Sequence, residues 1–294
     1  MALLNKPLLQ PLNDSFLKEK NLKVFVLRDD LIHPYISGNK GRKLKYNIEE
    51  FRKQKKEYLV TFGGAYSNHI VATAAAGKES GIKTIGIIRG DEHGIKTNPV
   101  LRFAHACGME LLFVSREKYR ALRGNILSLY SILQKPDSEF FVLPEGGSNE
   151  LAVKGCREIP DDILIDFDIL CCACGTGATI AGIINGLKSH QEALGISVLR
   201  AKESLAETIN KYSGSKNNYN LVDDYHFGGY AKTTDELIAF CKKFSEQHQI
   251  PVEPVYTGKL FYGIYDLAKK SFFDGSKTIV AVHTGGIYDF NNHS

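Results

Sequence analysis

Short apolar runs alternate with helical stretches along almost the whole chain. The first group of runs lies at residues 58–62, 83–88, 110–114 and 140–143. Helices are predicted between them over residues 67–80 and 99–107, because a glycine that can close a helix, Gly81 or Gly108, follows each stretch. Near-continuous apolar strands separated by helices are typical of parallel sheets that are covered by helices on both faces. This part of the chain therefore predicts an α/β domain.

A second group of apolar runs lies on either side of the first. One run, residues 24–27, precedes it, and the pattern restarts after Asn149 with runs at residues 169–173, 196–199, 220–223, 252–256 and 278–283. Two such groups predict two α/β domains, each with a mostly parallel sheet covered by helices. We assign the larger domain to residues 1–46 and 150–294 and the smaller to residues 47–149. Because ligand sites favour domain interfaces, we expect the functional site in the cleft between the two domains.

The composition of the 294-residue chain is that of a globular protein, with 43% hydrophobic and 24% charged residues. The net charge is +4, and the one dense basic stretch, residues 52–56, suits the polar end of a surface helix. Nucleic acid is therefore not an expected partner. The N-terminus lacks the features of a secretory signal, and no window approaches the roughly 18 apolar residues of a membrane span. These features predict a cytoplasmic protein with no membrane partner.

The six cysteines do not suggest a disulfide framework in a chain of this length. Cys171, Cys172 and Cys174 cluster and contain a Cys-x-x-Cys spacing. A metal or redox site would need a second pair of ligands at matching spacing, and the sequence has none. We therefore expect no metal, and we predict that these thiols are reduced and buried in a strand.

The segment from Ser37 to Leu44, Ser-Gly-Asn-Lys-Gly-Arg-Lys-Leu, lies between a predicted strand and a helical stretch. Taken alone, a segment this basic is more often a solvated loop and helix start. The alternative is that Lys40 is partly desolvated, which lowers the pKa of its amine and frees it to attack a carbonyl group. Lys43, about one helical turn later, could then contact a phosphate.

Ser67 and Asn68 open a predicted helix shortly after the strand at residues 58–62. Both are residue types that cap helices, which is one role for them. Alternatively, the hydroxyl and the amide face a ligand ring and a substrate carboxylate, which the backbone N–H groups of a helix start also suit. His69 is more simply a structural residue of the first turn than a ligand.

The glycine turn Cys174-Gly175-Thr176-Gly177-Ala178-Thr179 lies between an apolar strand and a helix, where anions bind in α/β proteins. A dinucleotide-binding turn would need a third glycine where Ile180 stands. The hydroxyls of Thr176 and Thr179 suit a single phosphate better. Further along, Tyr256 with Thr257, and His283 with Thr284, are each expected to follow a strand, where ligands gather.

A reactive lysine, a phosphate-binding turn and an aromatic side chain that covers a ring together suit pyridoxal phosphate (PLP). Six segments in order also resemble one family: Gly-Asn-Lys-x-Arg-Lys-Leu, Ser-Asn-His, Pro-Glu-Gly-Gly-Ser-Asn, Gly-Thr-Gly-x-Thr-x-Ala-Gly, Pro-Val-Tyr-Thr-Gly-Lys and His-Thr-Gly-Gly. The sequence is similar to the 1-aminocyclopropane-1-carboxylate (ACC) deaminase and D-cysteine desulfhydrase family, which belongs to the fold-type II PLP enzymes related to the tryptophan synthase β-subunit. The resemblance spans about residues 24 to 290.

The resemblance implies a role for each matching residue. Lys40 would carry the covalent link to PLP with Asn39 beside it, and Tyr256 would lie against the ring. The phosphate would be held by Lys43 and by the turn of Cys174, Gly175, Thr176, Gly177 and Thr179. Asn68 would approach the ring hydroxyl, and Ser67, Asn68 and His69 would face the substrate. Thr257 or Thr284 would lie near the pyridine nitrogen. Lys40, Ser67 and Tyr256 are thus the expected catalytic residues, and the family implies a homodimer.

Two positions separate the subfamilies. ACC deaminases typically carry Glu where this chain has Thr257 and Leu where it has Thr284, whereas desulfhydrases carry threonine at both. A hydroxyl beside the pyridine nitrogen suits loss of a good leaving group such as hydrosulfide. We therefore expect conversion of D-cysteine to pyruvate, sulfide and ammonia. The alternatives are ACC deamination to 2-oxobutyrate, a non-catalytic PLP- or metabolite-binding protein, and a dinucleotide-dependent reductase.

Overall fold

The computed structural model describes residues 4–91, 94, 95, 97–124, 129–214 and 216–290. The strands in chain order are β1 (Leu8–Pro11), β2 (Leu22–Arg28), β3 (Tyr58–Gly64), β4 (Lys83–Arg89), β5 (Glu110–Val114), β6 (Phe140–Leu143), β7 (Ile169–Cys174), β8 (Glu192–Ser197), β9 (Tyr219–Val222) and β10 (Lys277–Val282).

The α-helices in chain order are α1 (Ser15–Glu19), α2 (Asn39–Lys53), α3 (Asn68–Ser80), α4 (Pro99–Ala106), α5 (Arg116–Gly124), α6 (Tyr130–Leu133), α7 (Glu150–Cys156), α8 (Ala178–Gly186), α9 (Lys202–Ser213), α10 (Asp235–His248) and α11 (Thr257–Lys269). Within the described residues, no helix is both long enough and apolar enough to cross a membrane.

The chain divides into two compact units. The first unit comprises Met1–Leu4, His33–Ala152 and Tyr288–Ser294, and the second comprises Asn5–Ile32 and Val153–Ile287. Together they form an α/β protein with mostly parallel sheets, as the sequence predicts. Each unit has its own sheet and its own buried core, so each is described separately.

In the first unit, the described strands form a parallel sheet in the order β5-β4-β3-β6. These are the four strands predicted from the first group of apolar runs, and α3 ends at the predicted Gly81, whose φ is 65°. Leu44 and Ile48 of α2 pack in the same core as Leu59 and Val71. Residues 33–46 therefore belong to this unit, whereas the boundary predicted at residues 46/47 assigned them to the larger domain.

In the second unit, the sheet within the described chain has the order β1-β2-β10-β7-β8-β9, with only β1 antiparallel to its neighbour. Alternate residues of β7 enter different cores, since Cys171 packs in one cluster and Cys172 in another. A sheet covered on both faces explains why its strands are continuously apolar. The predicted burial of Cys171, Cys172 and Cys174 is confirmed, and burial raises the pKa of the Cys171 thiol.

One predicted strand is displaced in the structure. The prediction was residues 196–199, but β8 runs from Glu192 to Ser197. Gly195 weakens the apolar pattern at the centre of this strand, and the packing requires it. A Cβ at position 195 would lie 2.5 Å from Ile180 Cδ1 and 2.9 Å from Cys174 Sγ. The edge strand β1 was not predicted at all.

The strand predicted at residues 252–256 is wrong, because this segment is a loop that leads into α11. Pro254 has no N–H to offer a neighbouring strand. The N–H groups of Val255 and Tyr256 donate instead to the carboxylate of Glu253. A local side chain thus takes the hydrogen bonds that a sheet would have needed.

Candidate active site

Lys40 lies in the first turn of α2, in the first unit. The helix begins after Gly38, whose φ of 61° favours glycine. Lys40 Nζ donates to Asn39 Oδ1 at 3.1 Å, and the Lys40 side chain is partly buried. Ser37, Asn39 and Arg42 around it are buried as well. The segment is therefore a helix start, as one part of the simpler alternative had it, but it is largely buried and not a solvated loop.

Lys43 connects α2 to the loop that follows β6 by hydrogen bonds. Its side chain is only 2% exposed, and its Nζ donates to Gly146 O at 3.1 Å and to Ser148 Oγ at 3.3 Å. One turn later, Asn47 and Asn149 hydrogen-bond to each other. The segment Pro-Glu-Gly-Gly-Ser-Asn thus lies directly against the lysine-bearing helix. The contact of Lys43 with a phosphate stays a prediction.

Ser67 takes the capping role that its residue type suggested. It is the N-cap of α3, and its Oγ accepts a hydrogen bond from Ile70 N at 3.4 Å. Asn68 is the first residue of the helix, and its carbonyl oxygen accepts from Tyr288 OH at 3.4 Å. Tyr66 precedes them with 68% of its surface exposed. Both Ser67 and Asn68 are partly buried at this helix start.

His69 is a buried residue of the first unit, with 1% exposure. Its Nε2 lies 2.7 Å from Thr61 Oγ1, and this hydroxyl donates its own hydrogen to Leu143 O at 2.9 Å. Nε2 must therefore carry a hydrogen and act as the donor to Thr61. Its Nδ1 has no hydrogen-bond partner within the described residues. The structural role expected of His69 fits this geometry.

The environment of His69 predicts a loss of stability in mild acid. Burial, together with Lys40 and Lys43, lowers its pKa well below 6.5. A histidine that stays neutral when folded stabilises the protein above pH 6.5, and this contribution is lost as the pH falls toward the folded pKa. We expect the melting temperature to fall between about pH 7.5 and about pH 5.5. The reason is that the free energy of unfolding decreases by about 1.4 kcal/mol per pH unit below 6.5 for such a group.

The matched variant for this prediction is His69→Gln, which keeps a side-chain N–H but cannot take up a proton. His248 and His283 also have pKa values lowered by burial, so some acid sensitivity remains in the variant. Melting curves at both pH values should show a smaller fall for His69→Gln than for the wild type. Equal falls in the two proteins would contradict the prediction.

The glycine turn of the second unit joins β7, which ends at Cys174, to α8, which begins at Ala178. Gly177 precedes the helix with a φ of 86°, and a Cβ there would lie 3.0 Å from Thr208 Cγ2. Within the described chain, no side chain caps this helix start, so its backbone N–H groups suit an anion. Thr179 is buried, whereas Thr176 is exposed.

Tyr256 lies beside this turn. A Cβ built on Gly175 would lie 3.4 Å from Tyr256 Cε1, so the glycine leaves room for the ring. On another side, the Tyr256 and Tyr230 rings meet edge to face with centroids 6.2 Å apart. The sequence did not single out Tyr230. The pair of glycines before it, Gly228 and Gly229, could have marked its loop as a turn in the sequence. In the structure both have positive φ.

Lys259 anchors the loop that carries Tyr230. It is fully buried, which is rare for lysine, and its Nζ donates to His226 O at 2.8 Å and to Gly229 O at 3.0 Å. Burial lowers the pKa of this ammonium group. Lys259 belongs to the Pro-Val-Tyr-Thr-Gly-Lys segment, but the sequence alone gave it no role.

Thr257 and Thr284 are both buried in the second unit. Thr257 opens α11, and its hydroxyl is hydrogen-bonded to Glu253. Thr284 follows β10, directly after His283. The His283 ring is fixed there, since Nε2 lies 2.7 Å from Pro251 O and Nδ1 accepts from Gly285 N at 3.3 Å. Thr284 thus follows a strand as predicted, but Thr257 does not.

Comparison with known proteins gives a consistent assignment. The family model described as pyridoxal-phosphate dependent enzyme matches residues 3–285. A Thermotoga maritima protein provisionally named as an ACC deaminase is 32% identical, over 95% of each chain. An Arabidopsis thaliana protein named as a mitochondrial bifunctional D-cysteine desulfhydrase/ACC deaminase is 29% identical, over 90% of this chain and 72% of that protein.

The fold agrees with this assignment. The crystal structure of a homologue of ACC deaminase superposes with a TM-score of 0.85 at 28% identity, covering 98% of this chain and 91% of that one. A hydrogen sulfide-producing enzyme from Fusobacterium nucleatum shares the fold with a TM-score of 0.71 at 17% identity, covering 99% of this chain and 98% of that one. The chain therefore belongs to the pyridoxal-phosphate dependent enzymes, in the family of ACC deaminases and D-cysteine desulfhydrases.

Proposed function

We propose that this enzyme eliminates hydrosulfide from D-cysteine and releases pyruvate and ammonia. The observation that carries the proposal is the buried threonine at position 257, with a second at position 284. Neither supplies a charge of its own to a pyridine nitrogen. Hydrosulfide is a good leaving group, so its loss makes a smaller demand on the cofactor than opening the ring of ACC.

Two features of the second unit suit PLP. No side chain of the described residues caps the helix start at the turn Gly175–Thr179, which suits a phosphate, and Gly175 leaves space beside the Tyr256 ring. We propose that Lys43 adds positive charge for this phosphate and that Asn68 binds the ring hydroxyl. When bound, PLP would supply the electron sink that makes the substrate α-proton removable.

The catalytic roles that we propose fall to three side chains. Lys40 would carry the covalent link to the cofactor, and its Nζ would accept the α-proton of the substrate. Ser67 binds the substrate carboxylate with the help of the N–H groups at the start of α3. Tyr256, beside the glycine turn, would lie against the cofactor ring. His69 connects the first turn of α3 to β3 through its hydrogen bond to Thr61.

An amino-acid panel with the purified protein tests the proposal. We expect pyruvate and sulfide in equal amounts from D-cysteine, with weaker or no turnover of L-cysteine and D-serine. ACC deamination is the second candidate, which the names of the relatives favour. Formation of 2-oxobutyrate from ACC without sulfide from D-cysteine would overturn the first choice. Rapid turnover of L-serine or L-threonine would do the same.

A cofactor band without turnover of any substrate in the panel would support a non-catalytic PLP-binding protein instead. We also propose that the enzyme is a homodimer, which rests on the resemblance to its family. Light scattering should then give twice the chain mass of 32.7 kDa. A monomeric mass at working concentrations would contradict this part of the proposal.

A further inference from the structure

A cavity of about 480 Å³ opens on the surface of the second unit, between α1, α10 and α11. Four partly buried aromatic side chains line it: Phe16, Phe240, Tyr262 and Tyr265. The Phe240 ring lies edge to face against Tyr262 and Tyr265, with centroids 5.3 and 5.7 Å away. Phe16 stacks on Tyr265 at 6.1 Å. Cavities of this size with apolar walls commonly hold small molecules, and the proposed function gives no role to these residues.

The more buried of the two carboxylates that line this cavity, Asp14, is already held by hydrogen-bond donors. Its Oδ1 accepts from Leu17 N at 3.1 Å, and its Oδ2 accepts from Gln247 Nε2 at 2.8 Å and from Tyr265 OH at 3.0 Å. Because Tyr265 gives its hydrogen to Asp14, His248 Nε2 must be the donor to the Tyr265 oxygen, 3.1 Å away. Burial lowers the pKa of His248 although Asp14 opposes the shift, so this ring adds no charge at neutral pH.

The charges at the rim of the cavity are not balanced in the same way. The second carboxylate, Asp266, accepts from Tyr225 OH at 2.9 Å and lies 2.7 Å from Lys270 Nζ. Lys243 of α10 and Lys269 of α11 also line the cavity, and both are exposed. Neither lysine makes a hydrogen bond or an ion pair with a residue that the structure describes. The negative charges of the lining thus have partners and its positive charges do not, which favours a negatively charged ligand.

We propose that this cavity is a binding site for a small aromatic carboxylic acid. The flat apolar body of the ligand lies among the rings of Phe16, Phe240 and Tyr262, since aromatic groups pack favourably against the faces and edges of other rings. Its carboxylate is bound at the rim by Lys243 and Lys269 through charge-assisted hydrogen bonds. The inference does not depend on the proposed reaction, because the residues that line the cavity are not those that the proposed function uses.

Isothermal titration calorimetry of the PLP-loaded protein with indole-3-acetate tests the inference. We expect saturable binding, and weaker binding of indole-3-acetamide and tryptamine, which keep the ring but carry no charge or a positive charge. Acetate, which lacks the apolar body, should not bind measurably. The dissociation constant for indole-3-acetate should rise by about two- to fivefold in Lys243→Met, as expected for loss of one exposed ionic partner, and further in Lys243→Met/Lys269→Met.

Lys242→Met is the matched control. Lys242 is exposed on the same helix but does not line the cavity, so this variant removes the same charge beside the site. It should keep the wild-type dissociation constant. Melting temperatures close to that of the wild type would show that all three variants are folded. Equal weakening in Lys242→Met and Lys243→Met would show that only the overall charge matters, which would overturn the inference.

Three other results would overturn it as well. Tighter binding of tryptamine than of indole-3-acetate would show that Asp14 holds a cation in this cavity. Unchanged binding in the double variant would place the acid elsewhere, such as at the carboxylate site proposed for Ser67. Absence of binding to the wild type is expected if a second copy of the chain covers this face. A protein without activity on D-cysteine would overturn the proposed function and leave this inference standing.

Discussion

Replacing Lys40 by alanine should abolish turnover while leaving the fold intact. In the proposed mechanism, the variant would lose both the covalent link to PLP and the amine that would accept the α-proton, and loss of a positioned proton acceptor alone costs about 10²–10⁴-fold in rate. The absorbance at about 410–430 nm should also disappear, because it belongs to the linked cofactor. Activity assays with D-cysteine and visible spectra of the loaded variant measure these two effects.

Lys53→Ala provides the control for this prediction. Lys53 is the last residue of the same helix, and 80% of its side chain is exposed. This variant should keep the wild-type spectrum and rate. The melting temperature of Lys40→Ala without cofactor should stay close to that of the wild type. Full activity in Lys40→Ala, or an unchanged band, would contradict the assignment of Lys40.

Replacing Lys259 by methionine should produce the largest loss of stability among the variants proposed for the second unit. The change removes the ammonium donor from His226 O and Gly229 O and leaves these carbonyl groups without that partner. Loss of hydrogen bonds to a charged group should lower the free energy of unfolding by about 2–4 kcal/mol. Because the same loop carries Tyr230, the packing of its ring against Tyr256 should loosen as well.

The matched control is Lys269→Met at the other end of α11, where the lysine is exposed. Denaturant unfolding without cofactor should give a free energy for this variant within about 0.5 kcal/mol of the wild type. A Lys259→Met protein as stable as Lys269→Met would show that Lys259 does not anchor the loop. If Lys259→Met is destabilised, limited proteolysis should cut first within residues 226–231.

Strand positions follow from the sequence where apolar residues fill both faces of a sheet. The runs that became β3, β4, β5 and β6 were predicted at nearly their observed bounds for this reason. Two failures have identifiable causes. Gly195 interrupts the pattern of β8 because its neighbours leave no room for a side chain. Val255 and Tyr256 suit a strand by residue type, but Glu253 takes their N–H groups.

The parts of the candidate site also differ in how well they can be predicted from the sequence. The Lys40 segment and the turn at Gly175–Thr179 carry glycines and polar residues at strand-to-helix junctions, and that pattern can be recognised in a sequence. The roles of Glu253 and Lys259 depend on burial and on hydrogen-bond partners that only the folded chain supplies. A lysine is normally expected at the surface, so no pattern marks a fully buried one.

The most direct test of the site is to find which lysine carries the cofactor. The PLP-loaded protein would be reduced with borohydride, digested with trypsin and analysed by mass spectrometry. We predict one phosphopyridoxyl group on Lys40, within a peptide of residues 29–42 that trypsin leaves uncut at the modified lysine. A label on Lys43, Lys45 or any other lysine, or no label in a protein that shows the absorbance band, would contradict the assignment.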